Sequence, residues 1–216
     1  MLSESGEEAR VRERAASAYL NFAQSHSKPE GWNELELERE NILGALEWCH
    51  SHQQDRTLID AVYSLYEFMR TRGYWEQSIV WLKCQHEAGE RLSDKFVQAN
   101  ALFGLAISLT FRGDNTQARK LLQQSRTLCA EIENRPGEAG VLHALGRIES
   151  QQGNGAAARA FFEQALALEK QSGDKRGTVT TLQTLGNLEF REGNRDQAES
   201  NFREGLAIAQ QIGDKH

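Results

Sequence analysis

With 216 residues, 31 acidic against 25 basic side chains and a formal net charge of −6 at pH 7, the chain has no positive surplus and no basic cluster, which argues against a phosphate-driven contact with nucleic acid. No apolar run approaches the roughly 18 residues needed to cross a bilayer, and residues 1–10 are polar and acidic, unlike a secretory leader. Three cysteines, Cys49, Cys84 and Cys129, occupy separate predicted helices without paired spacing, the pattern of free buried thiols in a reducing cytoplasm.

Residues 1–6 read as a disordered N-terminus. From Glu7 to about Gln24, Val11, Ala15, Ala16, Tyr19, Leu20 and Phe22 recur at helical spacing. Pro29 and Gly31 mark a loop over 25–32. A second helix is predicted from Leu35 to Ser51 on Leu37, Ile42, Leu43, Leu46 and Trp48. A third, about 57–71, is apolar on much of its circumference and is expected to be well buried. Gly73 ends it in the left-handed conformation open to glycine, and a fourth helix follows over about 75–92. Shorter helices are then expected at about 96–112, 137–152 and 177–192. Longer ones are expected at about 115–132, 155–172 and 195–212. Asp94, Asn134, Asp174 and Asp214 stand where their side chains can cap the helix that follows, and Pro136 can open one. The total is ten helices in five antiparallel hairpins.

The second half of the chain repeats itself. Leu145-Gly146, Gly153-Asn154, Ala158, Phe162, Ala165 and Leu166 return forty residues later as Leu185-Gly186, Gly193-Asn194, Ala198, Phe202, Gly205 and Leu206. Fainter copies lie forty and eighty residues earlier, and Gly73, Gly113, Gly153 and Gly193 are evenly spaced. A fixed period in the range of about 20–50 residues is the signature of a stacked-repeat architecture. Gly146 and Gly186 are expected to face Ala158 and Ala198, so that paired helices approach closely while Phe162 and Phe202 fill the space between hairpins.

These small residues and aromatics, at these offsets, resemble the tetratricopeptide repeat in a forty-residue form, most specifically over 97–216. The resemblance implies an all-α, right-handed superhelical solenoid of helix hairpins. It divides the chain into a divergent hairpin at 7–56 and four repeats at 57–96, 97–136, 137–176 and 177–216. Three departures stand out: Glu149 and Glu189 occupy a position where the family usually has an aromatic, the family proline closing the second helix is missing, and the repeat at 57–96 keeps Gly73 and Leu65 but has Tyr66 and Ser78 in place of the small residues. Residues 36–84, with Leu37-Glu38-Arg39-Glu40-Asn41-Ile42, Ala45-Leu46-Glu47-Trp48 and Arg72-Gly73-Tyr74, also resemble the opening segment of the helical-repeat sensor region in large bacterial signalling ATPases and transcription activators of the STAND type. That second resemblance implies a sensor or partner-binding arm of a longer protein. No G-x-x-x-x-G-K-[ST] phosphate loop occurs in this chain.

In this fold the shorter helix of each hairpin lines a concave groove. The stripe it presents is Tyr63, Glu67 and Arg70, then Phe103, Ile107, Thr110 and Phe111, then His143, Arg147 and Gln151, then Gln183, Asn187 and Arg191. Its aromatic and aliphatic end and its arginine-bearing end suit an extended peptide, because the guanidinium fork matches carboxylates and carbonyls. The bland alternative is that Phe103, Ile107 and Phe111 pack between repeats while the arginines are solvated. Cys49, His50 and His52 form a single tight cluster, short of the two separated pairs that zinc sites usually use. Cys84 and His86 point apart on one helix, so no nucleophile–base pair is legible. Trp48, Trp75 and Trp81 read as core at the junction with the irregular opening segment. The last helix carries Phe202, Leu206, Ile208 and Ile212 on a face that needs a cover, so further repeats or self-association is expected there. The reading is a non-catalytic, cytoplasmic scaffold for a protein or peptide, with no metal or cofactor. The alternatives are a small-molecule effector sensor and an oligomerisation scaffold.

Overall fold

A computed structural model describes residues 2–213, and the side chains of residues 7–213. The described residues hold eleven α-helices and one short 3₁₀ turn, Pro29–Gly31. The helices are α1 (Leu2–Ser25), α2 (Trp32–Leu37), α3 (Arg39–Ser51), α4 (Asp55–Arg72), α5 (Trp75–Arg91), α6 (Lys95–Arg112), α7 (Asn115–Glu131), α8 (Arg135–Gln151), α9 (Gly155–Ser172), α10 (Lys175–Glu192) and α11 (Arg195–Gln211). From α4 onward the first residues are 55, 75, 95, 115, 135, 155, 175 and 195, so the sequence period reappears as a helix start every twenty residues.

Two turns produce this regularity. The turns after α4, α6, α8 and α10 each hold a glycine in the left-handed region, Gly73, Gly113, Gly153 and Gly193, with φ between +79° and +91°. The alternate turns hold Gln53, Ser93 and Glu133 at φ 53–54°, a conformation that costs a residue with a Cβ about 1 kcal/mol. At Gly173, forty residues after Glu133, the same turn carries no such cost. The helix starts behave as expected. Asn134 Oδ1 accepts from the Gly137 amide at 3.1 Å, Asp174 Oδ1 from Gly177 at 2.9 Å, and Asp94 Oδ1 from Phe96 and Val97 at 3.0 and 3.1 Å. Asp214 lies outside the described residues.

The chain divides between Arg112 and Gly113 into two compact units. In the first, α1 packs on α3 and α4, α3 on α4, α4 on α5, and α5 on α6. Leu20, Leu35, Leu46, Leu58 and Val62 are fully buried there, and α4 buries seven of its apolar side chains, Leu58, Ile59, Ala61, Val62, Leu65, Phe68 and Met69. In the second, α7 packs on α8, α8 on α9, α9 on α10, and α10 on α11, around Leu122, Leu142, Ile148, Phe162 and Leu182.

Three local expectations change. The helix predicted over 35–51 is two helices, because Glu38 leaves helical geometry (φ −98°, ψ 8°) between α2 and α3. Leu37, expected on an apolar face, is thereby turned out and is 85% exposed. Gly146 and Gly186 leave room for aromatic rings: a Cβ on Gly146 would lie 2.6 Å from Phe162 Cε1, and one on Gly186 2.5 Å from Phe202 Cε1. Of the segment 1–6, Met1 lies outside the described residues, and the rest of its backbone belongs to α1.

Candidate functional site

In the first unit, the stripe comes from α4 and α6. Tyr66 of α4 lies beside Gly104 of α6, and the Tyr63 side chain bonds to that of Asn100, so the two helices run side by side. Burial is the main cause that raises the Tyr63 phenol above its usual range. Arg70 is not free, because it donates to Glu67 Oε2 at 2.6 Å on its own helix. Phe103 and Ile107 are half-buried, whereas Phe111 is 50% exposed. Phe111 lies flat on Trp75, with ring centroids 4.4 Å apart and planes 7° apart. Trp75 was expected in the core. Instead it forms an aromatic ledge with Phe111, while Trp81 is buried as expected.

In the second unit, α8 and α10 lie side by side. His143 Nε2 is 3.3 Å from Thr184 Oγ1, and Arg191 donates to Ser150 Oγ at 2.6 Å. Arg147, Gln183, Asn187 and Arg191 are exposed, and His143 is half-buried. The Thr184 hydroxyl donates to the Thr180 carbonyl at 2.9 Å, so its oxygen is left to accept. That assigns His143 the neutral tautomer with its proton on Nε2. Sequence reasoning missed Phe190 of α10, which is 64% exposed. It lies forty residues beyond Ser150 and eighty beyond Thr110; following the period two steps from Thr110, already in the stripe, would have found it.

Burial, reinforced by Arg147, pushes the His143 pKa down to about 4 from 6.5. The folded state therefore refuses a proton that the unfolded chain accepts. Stability from this group is complete above about pH 6.5 and is lost as pH falls toward 4, by at most about 3 kcal/mol. We expect denaturant titrations between pH 7 and 4 to show a falling midpoint that His143→Gln flattens. Identical slopes for the two proteins would refute that assignment. Glu169 works in the opposite sense. Burial raises its pKa, only Thr181 Oγ1 donates to it, at 2.9 Å, and its contribution is lost as pH rises.

On the other side of α10, around Leu185 and Glu189, an open cleft of about 930 Å³ runs between α9 and α11. Its lining includes Arg159, Glu163, Leu166, Asn194 and Asn201. Here the unusual glutamates find their partners. Arg159 Nε donates to Glu189 Oε1 at 2.5 Å, and its Nη2 bonds both Glu189 and Glu192. Thirty residues separate them, as they do Arg119 and Glu149, which pair at 2.5 Å. The side chain of Glu189 is only 4% exposed. Its pKa is lowered first by Arg159, and Asn194 Nδ2 adds a bond of 2.7 Å. The departure from an aromatic is thus a paired change, in which each carboxylate is matched by an arginine on the preceding helix.

The Cys49–His52 cluster is engaged locally. His52 stacks on Trp48 at 4.4 Å, and its Nδ1 lies 2.9 Å from the Trp48 carbonyl. Cys49 and Cys129 are buried, and burial raises both thiols above their usual pKa, which suppresses the reactive thiolate. Among the described residues, no three His, Cys, Asp or Glu side chains gather as a metal site, and no helix is long and apolar enough to cross a membrane.

A profile of the tetratricopeptide repeat family matches residues 97–171 and again 137–211. No curated protein matches the sequence. Among solved structures, the chain is similar to a putative kinesin light chain of nearly identical TPR-like repeats from Podosopora anserina (15% identity, TM-score 0.65, 96% of this chain and 98% of that one). It is similar to aspartyl phosphate phosphatase F from Bacillus subtilis (15%, 0.70, 99% and 57%). A Rap protein complexed with competence and sporulation factor also matches (15%, 0.64, 84% and 53%). At such identities the likeness is one of fold.

Proposed function

This chain belongs to the tetratricopeptide repeat family, and from that premise we propose that it is a non-catalytic scaffold that binds a protein or peptide on the faces of α4, α6, α8 and α10. At 17–18 residues these helices are not shorter than those between them, contrary to the sequence expectation. The binding residues are Tyr63, Arg70, Phe103, Ile107 and Phe111 in the first unit, and His143, Arg147, Gln183, Asn187 and Arg191 in the second. The observation that carries the reading is the Trp75–Phe111 ledge: two large rings stacked on each other with Phe111 half exposed, beside half-buried Phe103 and Ile107. Exposed aromatics next to unburied aliphatic side chains are the composition of recognition surfaces. Exposed Arg147 and Arg191 add donors for carboxylates or backbone carbonyls. The complex of the Rap protein with competence and sporulation factor is a precedent for binding by this fold. In its wider setting, the chain acts as the sensor or partner-binding arm of a larger bacterial signalling or transcription-regulating protein, as the sequence of 36–84 suggests.

The test is capture of partners from cell lysate by the wild-type chain beside a Phe111→Ala/Arg147→Glu variant, which changes one residue in each unit. Both substitutions are at exposed positions, so helicity should be unchanged by circular dichroism. A partner held by the wild type and lost by the variant supports the proposal. A partner retained equally by both moves the site elsewhere, and no partner at all overturns the reading.

A further inference from the structure

Between α3 and α5, wholly inside the first unit, runs an open groove of about 490 Å³. Leu43 of α3 and Val80 and Trp81 of α5 give it apolar surface, and Glu40 and Glu47 of α3 and Glu76 of α5 give it carboxylates. Gly44 leaves its wall open, since a Cβ there would meet nothing within 4 Å. Val80 is 52% exposed. Contacts that stack one hairpin on the next recur at the forty-residue period, but this lining does not. At the position of Val80 the later hairpins carry Lys120, Ala160 and Ser200, and at that of Glu76 they carry Thr116, Ala156 and Asp196. Stacking therefore requires neither an exposed valine nor a carboxylate at these places. The carboxylates are also held loosely. Glu47 takes part in no hydrogen bond or ion pair among the described residues. Glu40 meets its sequence neighbour Arg39 at 3.1 Å, and Glu76 meets Arg112 at 3.4 Å with its side chain 71% exposed. Exposed pairs of this kind contribute little and yield to a better-placed cation.

We propose that this groove docks a basic amphipathic helix of a partner protein. Glu40 and Glu47 stand seven residues apart on α3, two turns or about 10 Å, so the partner helix carries cations at the same spacing. Aliphatic residues three and four positions after the first cation lie on the same face and cover Leu43, Val80 and Trp81. Glu76 adds negative charge from the opposite wall. This chain does not supply such an occupant. A further hairpin stacks on the last helix of a series, whereas this groove lies between two helices that already have their neighbours, α3 on α1 and α4, and α5 on α4 and α6. Among the described helices, cations seven apart on one helix occur only as Arg119 and Arg126 of α7, and both are committed, to Glu149 and Glu138.

Two synthetic peptides test this, both held helical by a hydrocarbon bridge on the solvent face. One carries arginines seven positions apart, with leucines at the third and fourth positions after the first, and the other has glutamates in place of the arginines. Each is titrated against the whole chain by fluorescence anisotropy. The arginine peptide should bind at least about tenfold tighter than the glutamate peptide. Glu47→Arg should weaken its binding by about tenfold or more. Gly44→Leu, which fills the groove where space exists for it, should abolish binding while the circular dichroism stays helical. Glu163→Arg, the same charge change in the second unit, and Phe111→Ala, outside the groove, should leave the affinity unchanged. Equal binding of the two peptides, no binding of either, or binding that survives Gly44→Leu overturns the proposal. Loss with Phe111→Ala overturns it by moving the peptide to the stripe, and loss with Glu163→Arg by showing only attraction to net charge. Concentration-dependent dimerisation that Gly44→Leu abolishes also overturns it, because the cover would then be a second copy.

Discussion

Phe162→Ala is expected to lower stability by about 4 kcal/mol, and Phe202→Ala, the same residue one period later, by only about 1 kcal/mol. Phe162 is fully buried, and the helix facing it carries Gly146, which has no side chain to swing into the vacated space. Large-to-small changes cost most where the surroundings cannot collapse. Phe202 keeps more than a third of its surface in water, so its loss removes less contact. The glycines should divide in the same way. Gly146→Ala places a methyl 2.6 Å from a ring that has nowhere to go, whereas Phe202 can yield to Gly186→Ala by moving outward. Gly146→Ala/Phe162→Leu should recover most of the loss, since the register forty residues earlier holds Ala106 and Leu122. Urea titrations followed by circular dichroism measure all of these. Equal losses at 162 and 202 would contradict the packing described.

Arg159→Met should cost about 3 kcal/mol, the usual penalty for stranding a buried charge. Glu189 is almost fully covered, and without the guanidinium it keeps only the Asn194 amide. Arg159→Met/Glu189→Leu should regain the wild-type value or exceed it, because an apolar pair avoids the cost of desolvating both ions. The pH dependence follows from the sign of the shift. Arg159 holds the Glu189 pKa below its unfolded value, so the stabilisation is present at neutral pH and is lost as pH falls through the folded pKa. The gap between wild type and Arg159→Met should therefore narrow in acid. A double-mutant cycle at pH 7 with no coupling between 159 and 189 would refute the pairing. Arg12–Glu8, with both side chains about two-thirds exposed, should give almost nothing in the same experiment.

The forty-residue period made most of the backbone legible. Glycine at 73, 113, 153 and 193 and the capping residues at 94, 134 and 174 placed helix ends within a residue or two, because each acts through local backbone geometry. The break at Glu38 was not legible, since nothing in Leu35–Ser51 forbids a continuous helix; the interruption coincides with ties to the start of α5. Arg39 lies over the Tyr74 ring at 4.7 Å, and the Tyr74 hydroxyl donates to Glu36. The exposed stripe followed from helical spacing, but its chemistry did not: Arg70 is tied to Glu67, His143 is neutral, and Trp75 has left the core for Phe111. Glu149 and Glu189 looked like unexplained departures because their partners, Arg119 and Arg159, lie thirty residues upstream. A search for charges recurring at a fixed offset finds such pairs, whereas helix periodicity cannot.

The bonds that stitch neighbouring hairpins all have a short reach along the chain. Arg72 meets Asn33, Arg112 meets Glu76, Arg119 meets Glu149, Arg159 meets Glu189 and Arg191 meets Ser150, separations of 30 to 41 residues. Loop closure over such distances is entropically cheap and fast. During synthesis, each hairpin can therefore dock as soon as it clears the ribosome, on a surface its predecessor has already presented. Helix α4 can dock on α1 and α3 when only the first third of the chain has emerged, and none of these bonds waits for the C-terminus. The vulnerable moment comes at each advancing end, where the newest hairpin exposes the apolar face that the next one will close.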